Sequence, residues 1–297
     1  MNKNFADKLL EEIERFKNPS CIGLDPRIED IPDFMKKGNI TKTLFDFNKI
    51  IIDATFDVVP AFKIQIAFYE KYGSKGIKAF EKTISYLKKK NKIVIADAKR
   101  NDIDPTAEAY AEAFLSKEGF DIDAVTVNPY LGIDGIKPFI EVAKKNGKGI
   151  FVLVKTSNPS AGDFQNKILK NGKKFYEIVG AKVNQWNKGM EGKRGYGIIG
   201  AVIGATYPRE AKVLRKIMPK SIFLVPGYGA QGGKAKDVIF NFNKDGQGAI
   251  VNNSRGIIFA YKSDPYKNKF GAKKFHLAAR EAAIEMKKDL FRVWRTK

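Results

Sequence analysis

The run KIVIADAKRNDI, residues 92–103, begins as an apolar strand and ends in Asp97, Lys99, Arg100 and Asp102. Asp97 and Lys99 are two residues apart, so on an extended strand they share a face, while Ala96 and Ala98 take the other and leave room for a helix. Asp102 follows in a short loop, because Asp104-Pro105 reads as the N-cap and first residue of a helix over PTAEAYAEAFLSK. Lys63 lies inside another apolar run, AFKIQIA. Buried charges persist when paired, and lysines set among aspartates can satisfy one another. Flanking carboxylates favour the charged form of an ammonium. A fixed cation of this kind stabilises negative charge forming on a substrate and can then supply a proton. The plainer alternative is an ion network that only fastens loops at the strand ends. Arg100 is given no role and is expected to face solvent.

A second constellation is formed by VPGYGAQGG and NNSRG. Gly227, Gly229, Gly232 and Gly233 allow backbone N–H groups to approach an anion closely. Gln231 can add side-chain hydrogen bonds, and Arg255 offers the planar fork that suits phosphate. Other chemistries lack parts. His276 is the only histidine and falls in the expected C-terminal helix, so no Ser-His-Asp triad can form. One His and one Cys, Cys21, do not make a protein zinc site. Lys99 competes for the carboxylate oxygens that Mg²⁺ would need, and no metal is expected.

These residues need a scaffold that brings strand ends together. Eight short β-branched runs recur: CIGLD (21–25), AFKIQIA (61–67), KIVIAD (92–97), AVTVNP (124–129), GIFVLVK (149–155), YGIIGAVIGAT (196–206), SIFLVPG (221–227) and GAIVNNS (248–254). Most are nearly continuous apolar stretches, as in parallel strands covered on both faces. Helical patterns lie between them. One has Leu44, Phe47, Ile51 and Ala54 along one face, and another ends at Gly147 as a C-terminal cap. The alternation predicts an α/β fold, a single (β/α)₈ TIM barrel domain over residues 1–297, with a doubly wound open sheet as the other arrangement. An extra N-terminal helix, FADKLLEEIERF, is expected to close the bottom of the barrel. In a barrel the active site forms at the carboxyl ends of the strands, and the loops after strands seven and eight often hold phosphate. Those are the loops carrying Gln231 and Arg255. The loops 158–172 and 262–271 are long for a compact domain.

The 297 residues carry a net charge of +21. A positive field of this size raises the question of nucleic acid, but the lysines are dispersed and no nucleic-acid-binding motif accompanies them. It would equally favour an anionic small substrate. No apolar stretch of about 18 residues suggests a membrane span, the N-terminus lacks the apolar core of a signal peptide, and the lone cysteine fits a reducing cytoplasm.

The pattern Asp-x-Lys-x-x-Asp-Ile-x-x-Thr, here Asp97, Lys99, Asp102, Ile103 and Thr106, resembles the signature of the orotidine 5′-phosphate decarboxylase family. GLDPR, FKIQ, KTSNPSAGDFQ, GAT, PGYGAQGG and SRG fall in that family's order, from about residue 20 to 257, and look most like its longer, bacterial-type branch. The resemblance implies a (β/α)₈ barrel acting as a homodimer with shared active sites. It also implies cofactor-free decarboxylation of the nucleotide orotidine 5′-monophosphate to uridine 5′-monophosphate, the last step of de novo pyrimidine synthesis. It implies roles for particular residues. Lys63, Asp97, Lys99 and Asp102 would form the charged network, with Lys99 protonating carbon 6 of the ring. Asp25 and Lys63 would hold ribose hydroxyls, Ser157 the pyrimidine, and Gln231 and Arg255 the phosphate. Asp102, Ile103 and Thr106 would reach into the partner's site. One departure is Asn-Ser before Arg255, where Gly-Arg is expected. Competing readings are a Mg²⁺-dependent decarboxylase or synthase of a keto-sugar phosphate, and a non-catalytic binder of phosphate ligands or nucleic acid.

Overall fold

The structure, a computed structural model, describes residues 3–229 and 232–294. Eight strands follow one another in chain order around a closed barrel. They are β1 (Ser20–Gly23), β2 (Ala61–Gln65), β3 (Ile93–Arg100), β4 (Ala124–Val127), β5 (Gly149–Lys155), β6 (Ile199–Ile203), β7 (Phe223–Val225) and β8 (Ala249–Asn253). All eight expected runs are strands, and the closed order excludes the open sheet. The continuous apolar runs have the cause assigned to them: β1, β4, β6, β7 and β8 are buried along their whole length.

The described residues fall into two compact units. The larger is drawn from Met1–Glu11, Lys99–Val251 and Arg292–Lys297, and the smaller from Glu12–Ala98 and Asn252–Phe291. In the smaller unit β1, β2 and β3 pair in parallel, with Gly23 opposite Lys63, Lys63 opposite Ile95 and Gln65 opposite Asp97. The helix Ile40–Thr55, capped by the Asn39 side chain, buries Leu44, Phe47 and Ile51 as its spacing predicts. Ala54 stays half-buried, because the buried stripe runs instead through Asn48, Ile52 and Thr55. Phe47 stacks between Phe259 and Phe275, with ring centroids 5.5 and 5.3 Å away.

In the larger unit β4 to β8 also pair in parallel. Phe5 of the N-terminal helix (Phe5–Phe16) packs edge-on against Phe151 at 5.9 Å and fills the space above Gly149, where a Cβ would stand 2.2 Å from its ring. The Asp7 carboxylate accepts the N–H groups of Lys193 and Arg194, both at 2.9 Å. The start of this helix therefore seals the amino end of β5, as expected of a barrel floor. Gly147 ends the helix Lys137–Asn146 in the left-handed conformation, φ 67°.

Lys92, just before β3, places its ammonium 4.0 Å from the centre of the Phe16 ring, with one hydrogen bond to the Val59 carbonyl at 3.2 Å. Burial, helped by the Arg15 charge, lowers its pKa to about 8 from the ordinary 10.5. Between those values the unfolded chain binds the proton that the folded chain has released, so this group makes stability rise with pH. Below about pH 8 both states are protonated and the penalty is complete. Lys92→Met removes the titration. Melting both proteins at about pH 7 and about pH 9.5 is expected to show the stability difference shifting toward the wild type as pH rises. A pH-independent difference would contradict this.

Candidate active site

The smaller unit assembles three of the expected residues. Lys63, on β2, is only 3% exposed, and its Nζ donates to Asp97 Oδ2 at 3.1 Å while standing 3.7 Å from Asp25 Oδ1. Burial alone would push the Lys63 ammonium down in pKa, but Asp25 and Asp97 outweigh it and hold the pKa above its ordinary value. This is the paired arrangement that a buried charge requires. Asp25 makes no side-chain hydrogen bond among the described residues, and its Oδ1 is buried with no hydrogen-bond partner. An unfilled acceptor beside a fixed cation suits a substrate hydroxyl.

The end of β8 lies against β1. At Gly23 a Cβ would stand 1.8 Å from Ser254 Oγ and 3.2 Å from Asn252 Oδ1, so the missing side chain makes the room that Ser254 occupies. Asn252 Nδ2 donates to that Oγ at 3.3 Å. This accounts for the departure at Ser254. Its side chain is received by Gly23, and Arg255 begins the one-turn helix Arg255–Ile258 unhindered. Arg255 is exposed, with no ion-pair partner among the described residues.

In the larger unit, Lys99 is exposed and has φ +49°, in the left-handed region. Its N–H donates to Thr126 Oγ1 at 2.9 Å. That conformation costs an ordinary residue about 1–2 kcal/mol and is concentrated at functional sites. The two-residue alternation that places Asp97 stops applying at Lys99, because the backbone leaves the extended region there. Arg100 does not point freely into solvent as expected. It is half-buried, with its guanidinium 5.4 Å from the rings of both Tyr110 and Phe114.

Asp102 Oδ1 accepts the N–H of Ile103 at 2.9 Å. The next helix spans Asp104–Leu115, one residue earlier than the expected cap, because the Ile103 carbonyl already accepts from Ala107. Asp104, at φ +41°, is its first residue and not its cap. Ile103 is 47% exposed, and Thr106 is exposed. Ser157 is half-buried beyond β5, against Gly204, where a Cβ would stand 2.9 Å from its Cα.

The glycine loop folds on itself. The N–H groups of Gly229, Gly232 and Gly233 donate to the carbonyls of Gly233, Gly229 and Gly227 at 2.9, 2.8 and 3.3 Å. Gln231 lies outside the described residues.

Two positions near these residues escaped the sequence. Lys155, at the end of β5, is fully buried, donates to Asn166 Oδ1 at 3.0 Å and stands 4.3 Å from the Tyr207 ring centre. Burial lowers its pKa. A lysine closing the apolar run GIFVLVK was the available signal. The other is Tyr69, whose hydroxyl donates to the Leu24 carbonyl at 3.1 Å, immediately before Asp25. Among the described residues no three or more His, Cys, Asp or Glu gather as a metal would require.

The sequence profile described as Orotidine 5′-phosphate decarboxylase / HUMPS family matches residues 19–267. The chain belongs to this family. A Clostridium perfringens protein named orotidine 5′-phosphate decarboxylase is 46% identical over 288 residues, covering 96% of this chain and 97% of its own. A Petrotoga mobilis protein of the same name is 45% identical over 287 residues, with coverage of 96% and 97%. The structure of Leishmania donovani OMP decarboxylase superposes with a TM-score of 0.78 at 28% identity, over 98% of this chain and 99% of that one. Membership of the orotidine 5′-phosphate decarboxylase family thus extends along almost the whole chain, including Asp25 just beyond β1 and the strands that carry Lys63, Asp97 and Lys99.

Proposed function

We propose that this chain decarboxylates orotidine 5′-monophosphate to uridine 5′-monophosphate, closing de novo pyrimidine synthesis. The observation that carries this reading is the Asp25–Lys63–Asp97 cluster around the buried Lys63, at the ends of β1, β2 and β3 in a barrel of this family. The substrate loses its carboxylate from carbon 6 as CO₂, and the electron pair of the broken bond stays on that carbon. Lys99 stabilises this pair with its ammonium and then gives it a proton, forming the new C–H bond. Water returns a proton to Lys99. Asp97, held by Lys63, faces the departing carboxylate. Asp25, with its unfilled Oδ1, takes a ribose hydroxyl, and Ser157 meets the pyrimidine. Arg255 and Gln231 hold the phosphate beside the loop of Gly229, Gly232 and Gly233. Distant phosphate contacts supply binding energy that is used at carbon 6.

In this reading the chain is one barrel domain and works in the cytoplasm as a homodimer, with Asp102, Ile103 and Thr106 reaching into the partner's site. Exposed apolar side chains on the larger unit support the dimer: Ile103, Tyr130 at 77% and Leu131 at 42%. No helix among the described residues is long and apolar enough to cross a membrane.

The test is to add orotidine 5′-monophosphate with a chelator present and follow the loss of its ultraviolet absorbance. Turnover unaffected by the chelator is expected. Turnover that the chelator abolishes would favour a Mg²⁺-dependent relative acting on a keto-sugar phosphate. No turnover, with salt-dependent DNA binding, would indicate a non-catalytic binder. Arg255→Ala is expected to raise KM roughly 10- to 100-fold, as for a lost hydrogen bond to a charged group. An unchanged KM would remove Arg255 from the phosphate site.

A further inference from the structure

Asp25 is held in an unusual way. It makes no side-chain hydrogen bond among the described residues, and its ion pair to Lys63 is loose at 3.7 Å. Its position therefore depends on the backbone just before it. Leu24 is fastened at both ends of its peptide units. Its N–H donates to the Lys63 carbonyl at 2.7 Å, and its carbonyl accepts the Tyr69 hydroxyl at 3.1 Å. The first of these bonds ties the Asp25 strand to the backbone of its own charge partner.

Tyr69 is itself fixed. It sits in the one-turn helix Ala67–Glu70 after β2 and is completely buried, with Phe80 edge-on at 5.4 Å. Its oxygen accepts Asn48 Nδ2 at 2.7 Å, which leaves the hydroxyl proton for Leu24. Asn48 Nδ2 also donates to Thr83 Oγ1 at 3.2 Å, and Thr83 donates to the Ala79 carbonyl at 2.8 Å. Asn48, Tyr69 and Thr83 are all fully buried. Among the described residues one atom of this chain, Asn48 Oδ1, has no hydrogen-bond partner, and the chain reaches the candidate site through the Leu24 carbonyl.

We infer that Tyr69 is a positioning residue: through the Leu24 carbonyl, its hydroxyl sets the place of Asp25 relative to Lys63. This rests on the proposed role of Asp25 in holding the ribose. Tyr69→Phe removes one hydroxyl from an otherwise unchanged core. It is expected to raise KM for orotidine 5′-monophosphate about three- to tenfold, with kcat changed less than about twofold. In an Asp25→Ala background the same substitution is expected to leave KM where Asp25→Ala put it, because nothing remains to be positioned. A residue that only packs the core would lower thermal stability equally in both backgrounds and leave KM unchanged.

A second measurement is independent of turnover. The Leu24 amide, bonded to the Lys63 carbonyl, is expected to exchange hydrogen about three- to tenfold faster in Tyr69→Phe. An unchanged KM, a KM penalty that persists without Asp25, or unchanged exchange at the Leu24 amide would each overturn the inference. If the wild-type chain fails to decarboxylate the substrate, the proposed function falls, and the exchange rates alone decide the role of Tyr69.

Discussion

Lys99→Ala is expected to keep the fold and lose turnover by about a thousandfold or more. Removing a positioned proton donor costs roughly 10²- to 10⁴-fold, and removing a preorganised charge from a developing anion costs about 10²- to 10³-fold. Lys99 is assigned both tasks, and no other lysine lies on β3. Its φ of +49° sharpens the test. Alanine inherits the left-handed strain, whereas glycine adopts that conformation freely. Lys99→Gly is therefore expected to be more stable than Lys99→Ala by about 1 kcal/mol, with neither variant turning over substrate. Steady-state rates at saturating substrate and denaturant melts of both variants check this. Near-normal turnover in purified Lys99→Ala would end the assignment of the acid.

Lys63→Met is expected to have the largest effect on stability, a loss of about 3–5 kcal/mol. The wild-type ammonium is buried between Asp25 and Asp97, and its removal takes away the cation that both carboxylates share. In the wild type the raised pKa of Lys63 means that its contribution is complete below the ordinary value of 10.5 and is lost only as pH climbs through the raised one, so it is intact at neutrality. In the variant both carboxylates lose the neighbouring positive charge that favours their ionised form. Protonating one of them offsets that loss, so the gap to wild type is expected to narrow as pH falls from about 7 to about 5. Denaturant melts at both pH values measure it. A loss below about 1 kcal/mol would mean that water already screens the pair.

The eight strands were legible because parallel strands buried on both faces leave a signal that needs no partner information: short apolar runs at regular spacing. The Lys63–Asp97 pairing was legible for a related reason, since a charge inside such a run needs a counter-charge. What stayed hidden depends on contacts distant in sequence or on backbone angles. Tyr69 in FKIQIAFYE looks like any core aromatic until its hydroxyl is seen on Leu24. Arg100 looks solvated until Tyr110 and Phe114, one turn apart on the following helix, are seen to cover it. The left-handed Lys99 has no sequence signature, because lysine is not a residue chosen for that conformation. The helix after Asp102 began one residue early because a backbone carbonyl started it without an aspartate cap.

The interlock of Gly23 with Ser254 bears on how this chain can change over generations. The serine hydroxyl occupies the volume that any side chain at position 23 would claim. Alanine at 23 thus becomes admissible only after position 254 has shrunk, and the ancestral order of such a pair of changes is forced. Two residues more than 200 positions apart thus restrict which substitutions each admits. Descent along this lineage would carry them together, with Arg255 as the neighbour that neither can afford to displace.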